Sequence, residues 1–313
     1  MSGAVPEQVI IASVTKMSRG LCIGGYVLAR GWSHANLQIK AARSVRLVPA
    51  GELWHPNTNQ WRPGQIITAE ISERENKTPP HTEDVTVHKW SQHGCRTLLG
   101  HSAMESCSCL GGTHSQLFPL ILKEIALDQA FRGSVSGLFD GKITRKPNGR
   151  AVVSSRELQF STQWWMPEVV PVASDEGYLS VRIVPSQYKG DLILEAVEEG
   201  SAQSPPSNTK WTFKYVGVNP ICKHKVRENV WPDQIILLRM SLARWWAAPT
   251  DSEVLCYGDL SSAWSLSEKE RRFEPLECVS LVNGKCECKT DADSDGYLYL
   301  WGNLRNGNED LPF

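Results

Sequence analysis

Short apolar runs separated by polar, glycine- and proline-bearing breaks fill most of this chain, a pattern of strands and turns. Val9, Ile10 and Ile11 form a strand-type run, Lys16 to Gly20 a polar break, and Leu21, Cys22 and Ile23 a second run closed by Gly24 and Gly25. The paired glycines give a strongly bent strand the backbone freedom it needs, and bent strands close small barrels. Further strands are predicted over 44–49 (SVRLVP), over 65–71 (QIITAEI) after the turn Arg62-Pro63-Gly64, and around Val85 and Val87 before Trp90.

The later half repeats the theme. Leu179, Val181 and Ile183 alternate with Ser180, Arg182 and Val184, and 192–197 pairs with that strand across Lys189-Gly190-Asp191. Trp211, Phe213 and Tyr215 alternate with Thr212, Lys214 and Val216, which puts three aromatics on one strand face. Asp140-Gly141 and Asn148-Gly149 mark turns between short strands. The best helix pattern is 117–131, with apolar residues at 121, 122, 125 and 127 and charges at 123, 124 and 128.

These residues resemble a bacterial dual OB-fold family described as nucleic-acid-binding. The likeness runs through the first two strands with Cys22-Ile23-Gly24-Gly25, then Arg46-Leu47-Val48-Pro49, Pro63-Gly64-Gln65-Ile66-Ile67 and His81-Thr82-Glu83-Asp84-Val85. YLSVRIVP (178–185), KWTFKYVGVNP (210–220), QIILLRMSLARWW (234–246) and EVLCYGDL (253–260) fall where that family places its second barrel. Ser44-Val45-Arg46 stands where the family often has Trp-Ile-Arg. The resemblance implies a mainly β protein of two OB-like small barrels, 1–90 and 171–265. A short helical, Cys/His-rich connector at 91–170 joins them, and an acidic β-hairpin appendage at 266–313 follows. A length of 313 residues fits two domains at about 100–200 residues each.

Net charge is only −1, yet its distribution is uneven. Residues 1–62 hold seven Lys/Arg against two acids, as do residues 210–246, whereas 251–313 hold six against thirteen. Two basic blocks, one per barrel, are therefore balanced by an acidic tail region. The nucleic-acid contacts expected from them are Lys16, Arg19, Arg43 and Arg46 in the first barrel. In the second they are Lys214, Lys223, Lys225, Arg227, Arg244 and Trp245.

Trp211, Phe213 and Tyr215 offer either a stacking platform or, in the favoured reading, barrel filling. In the pairs Trp164-Trp165 and Trp245-Trp246, one ring should face the core and the other solvent, where it is open to bases or a protein partner. A protein-interaction adaptor in a larger complex, in a bacterial defence or mobile-element setting, is the alternative function.

Candidate chemistry changes this picture little. His93, Cys95, His101, Cys107, Cys109 and His114 crowd one stretch, but their spacing matches no common zinc finger. Asp291, Asp293 and Asp295 imitate the start of an EF-hand loop, yet Gly302 stands where the bidentate Glu belongs, and a hairpin turn at Asp295-Gly296 is the stronger reading. No cofactor is expected. No phosphate-binding GxxxxGK[ST], GxSxG, HExxH or dinucleotide fingerprint is present, so a non-enzymatic protein is expected; an acidic pair such as Glu83-Asp84 is what a nuclease would use. No apolar run of about 18 residues and no signal-peptide pattern occur, which leads to a cytoplasmic protein without a membrane partner.

Overall fold

The computed structural model describes residues 4–17, 19–28, 43–57, 61, 63, 65–92, 128–167, 169–170, 178–179, 181–185, 192–197, 210–218, 221, 236–247, 253–267, 272–276, 281–282 and 285–286. They are mainly β, and among them no helix is long and apolar enough to cross a membrane. The chain divides into two units. The first comprises Met1–Gln129 with Gln159–Ser161 and Val216–Val218, and the second Ala130–Leu158, Thr162–Tyr215 and Asn219–Phe313.

Unit 1 is a closed barrel of β1 (Val5–Met17), β2 (Gly20–Val27), β3 (Arg43–Pro49), β4 (Ile66–Glu73) and β5 (Asp84–Gln92), in the order β1-β2-β3-β5-β4. Neighbours are antiparallel except β3 and β5, which run parallel from Arg46 opposite Asp84 to Pro49 opposite Val87. Closure depends on β1, whose first half pairs with β4 and whose second half pairs with β2.

A register shift between Ile11 and Ser13 lets β1 bend between its two partners. It also moves the inward positions from Val9 and Ile11 to Val14, all three in the barrel core. At Gly25 a Cβ would lie 2.7 Å from the Ile10 carbonyl oxygen, so only glycine lets β2 approach β1 there. The upper part of β1 gains a further neighbour, with Lys16 N–H donating to Val216 O and Val218 N–H to Val14 O.

The core of unit 1 is Val9, Ile11, Val14, Leu21, Ile23, Val45, Leu47, Trp61, Ile67, Ala69, Ile71, Val85 and Val87. Trp61 packs between His55, 4.9 Å away, and Trp90, which meets it edge-on at 5.0 Å. Trp90 reaches inward because a shift between Glu70 and Ile71 in the β4–β5 pairing places it opposite the core residue Ala69. His55 bonds the Leu47 carbonyl through Nε2, and burial holds its pKa below the ordinary value against that bond.

Unit 2 begins with β6 (Phe131–Gly133), a 3-10 turn at Val135–Gly137, β7 (Ile143–Arg145), β8 (Ala151–Val153) and β9 (Thr162–Pro167). β10 (Val169–Val170) and β11 (Tyr178–Leu179) pair with each other, and β12 (Val181–Pro185), β13 (Leu192–Val197), β14 (Lys210–Tyr215), β15 (Ile236–Leu242) and β16 (Cys256–Ser267) follow. β17 (Arg272–Pro275) pairs with β16, and β18 (Leu281–Val282) with β19 (Lys285–Cys286).

The main sheet runs β12-β13-β14-β16-β15-β9-β6, with β7 and β8 joined to it through β16. Its first five strands repeat the order of the barrel in unit 1, including a parallel contact between the third and fifth, at Lys214 opposite Asp259. The fourth strands also correspond, each with a register shift just after Glu70 or Arg239, at the same distance from Gln65-Ile66-Ile67 or Gln234-Ile235-Ile236. β15 pairs on its far side with β9, so the role that β1 plays alone is divided here between β9 and β12 and the sheet curls without closing.

Several expectations change. The strands between 131 and 167, read from the sequence as part of a connector, pair into the second sheet because β9 hydrogen-bonds with β15. Phe131 opens β6 instead of ending a helix, and the helix pattern from 117 to 127 lies outside the described residues, as does the hairpin turn at Asp295-Gly296. Trp164 and Trp165 are both buried, because β9 is covered on both faces: Arg239 lies 5.8 Å over the Trp164 ring, and Trp165 Nε1 donates to Gly133 O. Trp211 and Phe213 are interior, in line with barrel filling.

Candidate functional site

Alternation on the strands of unit 2 separates an apolar inner face from a basic and aromatic outer one. Trp211 and Phe213 point inward on β14, so Lys210, Thr212 and Lys214 point outward. On β16, Cys256 and Leu260 are core and Gly258 lies against Phe213, which leaves Tyr257 and Asp259 on the outer face. Val152 of β8 pairs with Tyr257 and shares its side, and so does Arg150 two residues earlier.

The turn Lys146-Pro147-Asn148-Gly149-Arg150 brings the remaining cations to this face. Lys146 N–H donates to Arg150 O and Gly149 N–H to Lys146 O, and Gly149 takes a positive φ of 87° that suits glycine. Thr212 N–H donates to Gly149 O, which ties the turn to β14. Around the half-buried Tyr257 ring stand Lys146 Nζ at 5.7 Å, the Arg150 guanidinium at 5.6 Å and Trp246 at 5.8 Å. Among the described side chains, four cations, Lys146, Arg150, Lys210 and Lys214, thus share the face with the Asp259 carboxylate. Arg150 Nη2 donates to Asp259 Oδ1 at 2.9 Å. Burial raises the Asp259 pKa above the ordinary carboxylate value, opposed by Arg150 and Lys214.

Unit 1 has a cation–Asp pair on the same parallel junction, and it is sealed. Arg46 is 4 % exposed and holds Asp84 through two bonds, Nε to Oδ1 at 2.5 Å and Nη2 to Oδ2 at 2.9 Å. Desolvation alone would lower the Arg46 pKa, but Cys22, Asp84 and Glu83 outweigh it and keep the guanidinium charged. The expected role of Arg46 as a phosphate contact is therefore corrected. Val45 and Leu47 point into the core, so Arg46 lies on the outer face of β3, and that face is buried.

The carboxylates considered for phosphodiester chemistry are likewise committed, Asp84 to Arg46 and Glu83 Oε1 to the Ser161 N–H and hydroxyl. Among the described residues no group of His, Cys, Asp and Glu could hold a metal ion.

Glu83 yields a pH prediction. Its Oε2 is enclosed without a hydrogen-bond partner, and burial raises the carboxyl pKa above its ordinary value, against the pull of Arg46 and Ser161. The folded state then binds this proton more tightly than the unfolded chain does. Its stabilising contribution is complete below the unfolded carboxyl pKa of about 4.3 and is lost as pH rises through the higher folded value. Glu83→Gln removes this fall, so the melting temperature of the variant relative to wild type should climb with pH across that window and then level off. Parallel melting curves at every pH would remove Glu83 as the cause.

The other expected contacts are dispersed. Lys16 and Arg19 are exposed at the β1–β2 turn, with no ion pair among the described residues. Arg43 pairs with Glu73, which Lys77 also holds, and Glu73 is kept below the usual carboxylate range chiefly by the Lys77 bond. Lys214 lies on the outer face of unit 2, Arg244 is half-buried, and Trp245 carries the Arg156 guanidinium 5.1 Å over its ring. Lys223, Lys225 and Arg227 lie outside the described residues, as do the zinc candidates Cys95, His101, Cys107, Cys109 and His114 and the calcium candidates Asp291, Asp293 and Asp295.

Lys146, Arg150 and Tyr257 were missed by sequence reasoning, which took Trp246 only as one ring of the pair Trp245-Trp246. The signal for the first two was the basic residue on either side of the Asn148-Gly149 turn, since a tight hairpin brings its flanks together. Compared with known proteins, the chain matches no family model and no curated protein.

Proposed function

We propose that this protein is a non-enzymatic nucleic-acid-binding module built on two OB-like barrels, and that the outer face of unit 2 is its principal contact surface. The observation that carries the reading is the placing of Lys146 and Arg150 over the Tyr257 ring, beside Trp246, on the face to which Lys210 and Lys214 of β14 also point. Cations at this density attract phosphates, and neighbouring rings offer π faces to bases. The strand order β1-β2-β3-β5-β4 with a parallel third and fifth strand supports the OB-like assignment, and unit 2 repeats it. In such barrels the second and third strands and the loop between the first two strands form the usual ligand surface. Lys16 and Arg19 occupy that loop in unit 1, while Lys210, Thr212 and Lys214 lie on the third strand in unit 2.

Salt-titrated binding to labelled single- and double-stranded DNA and RNA tests the reading. Wild type should weaken steeply with salt. Lys146→Ala should bind every sequence less tightly and lower the slope of log Kobs against log[salt] by about 0.7–0.9, one phosphate contact. Absence of binding at low salt would favour the protein-interaction adaptor, for which Trp90, 49 % exposed, is the contact to examine.

A further inference from the structure

The parallel junction of the third and fifth strands holds a cation–Asp pair in each unit, and the two pairs are built differently. Arg46 and Asp84 are joined by two bonds, and their side chains are 5 % and 3 % exposed. Arg150 and Asp259 are joined by one, and their side chains are 23 % and 10 % exposed. Arg150 Nη1 is enclosed and has no hydrogen-bond acceptor. Arg150 also comes from a turn laid against β14 and not from the third strand itself, whose own cation, Lys214, stands directly opposite Asp259 in the parallel register.

Resting on the nucleic-acid reading above, we propose that Asp259 is an internal stand-in for a ligand phosphate. It occupies Arg150 in the unbound protein and passes to Lys214 when a phosphodiester takes the guanidinium. A guanidinium prefers to present two parallel donors to a planar anion or a phosphate. The single bond to Asp259 leaves that preference unmet, whereas a phosphate meets it once the Asp259 bond is released and the guanidinium turns outward, bringing Nη1 out of its enclosed position. Lys214 lets the exchange proceed without leaving Asp259 an unpaired buried charge, which would be costly. Specificity for a phosphate chain over isolated small anions follows, because only a chain brings further phosphates to Lys146 and Lys210 in the same event.

The test compares wild type with Asp259→Asn in salt-titrated binding of fluorescein-labelled oligothymidylate, with circular dichroism to establish that the fold is kept. Removing the competitor should tighten binding several-fold and steepen the salt slope by about 0.7, one additional phosphate contact on a single strand. Unchanged or weaker binding by a folded variant overturns the exchange. If Asp259→Asn does not fold, Asp259→Ser makes the same comparison.

In wild-type protein labelled with 13C-aspartate, the Asp259 carboxyl resonance should also move on oligonucleotide addition. A stationary resonance with saturated binding counts against the proposal. Failure of the underlying reading looks different: wild type then binds nothing at low salt, and both fall together.

Discussion

Replacing Arg46 with alanine is expected to cost about 3–5 kcal/mol of stability, because Asp84 is left as a buried carboxylate without the guanidinium that holds it through two bonds. Against a typical domain stability of about 5–15 kcal/mol, this is a large share of what holds unit 1 together. The loss is not the worth of the ion pair. Forming it required both charges to leave water, so much of the measured cost belongs to the stranded partner.

A double variant separates these contributions. Arg46→Met with Asp84→Leu removes both charges, keeps apolar volume, and should restore most of the stability. Urea unfolding followed by tryptophan fluorescence measures all three proteins, with the transition of unit 1 resolved from that of unit 2, since two units need not unfold together. If Arg46→Ala shifts the midpoint no further than an ordinary surface substitution, about 0.5 kcal/mol, the sealed junction is not a determinant of the fold.

The same residue shows how far the sequence could be read. The five strands of unit 1 were legible, because short apolar runs bounded by Gly and Pro carry the strand signal locally. The alternation of Trp211 and Phe213 with polar neighbours correctly pointed to an inner face. Alternation puts Arg46 on the outer side of its strand, opposite Val45 and Leu47, and that side is buried. Whether an outer face is covered depends on chain segments distant in sequence. Here Ser161 reaches Glu83, next to Asp84, and Val216–Val218 adds to β1.

Register shifts were hidden for a related reason. The inward set on β1 changes from Val9 and Ile11 to Val14, and nothing in a single strand announces the added residue. The basic and aromatic face of unit 2 joins residues about a hundred positions apart, Arg150 with Tyr257 and Asp259. The pairing of β8 with β16 and the tie of the 146–150 turn to β14 bring them together, and charge counts along contiguous blocks pass over it.

Trp61→Ala is expected to destabilise unit 1 by about 3–5 kcal/mol, through lost transfer energy and the cavity left in the barrel. Trp61 lies outside the regular strands, yet it is 1 % exposed and belongs to the core formed by Val9, Ile23 and Leu47. Its ring is held on two sides, by His55 at 4.9 Å and by the edge of Trp90 at 5.0 Å. Neither neighbour is placed to fill the space, because the His55 ring is fixed by its bond to Leu47 O and Trp90 is fixed by pairing opposite Ala69.

Removing Trp90 instead should cost much less, about 1 kcal/mol, since half of that side chain is already in water and the main loss is one edge-to-face contact. Thermal melts of Trp61→Ala, Trp61→Phe and Trp90→Ala give the order, with the phenylalanine variant intermediate because it retains a ring in the cavity. Equal losses for Trp61→Ala and Trp90→Ala would mean that the aromatic stack acts as one surface cluster and that the barrel does not rest on the buried indole.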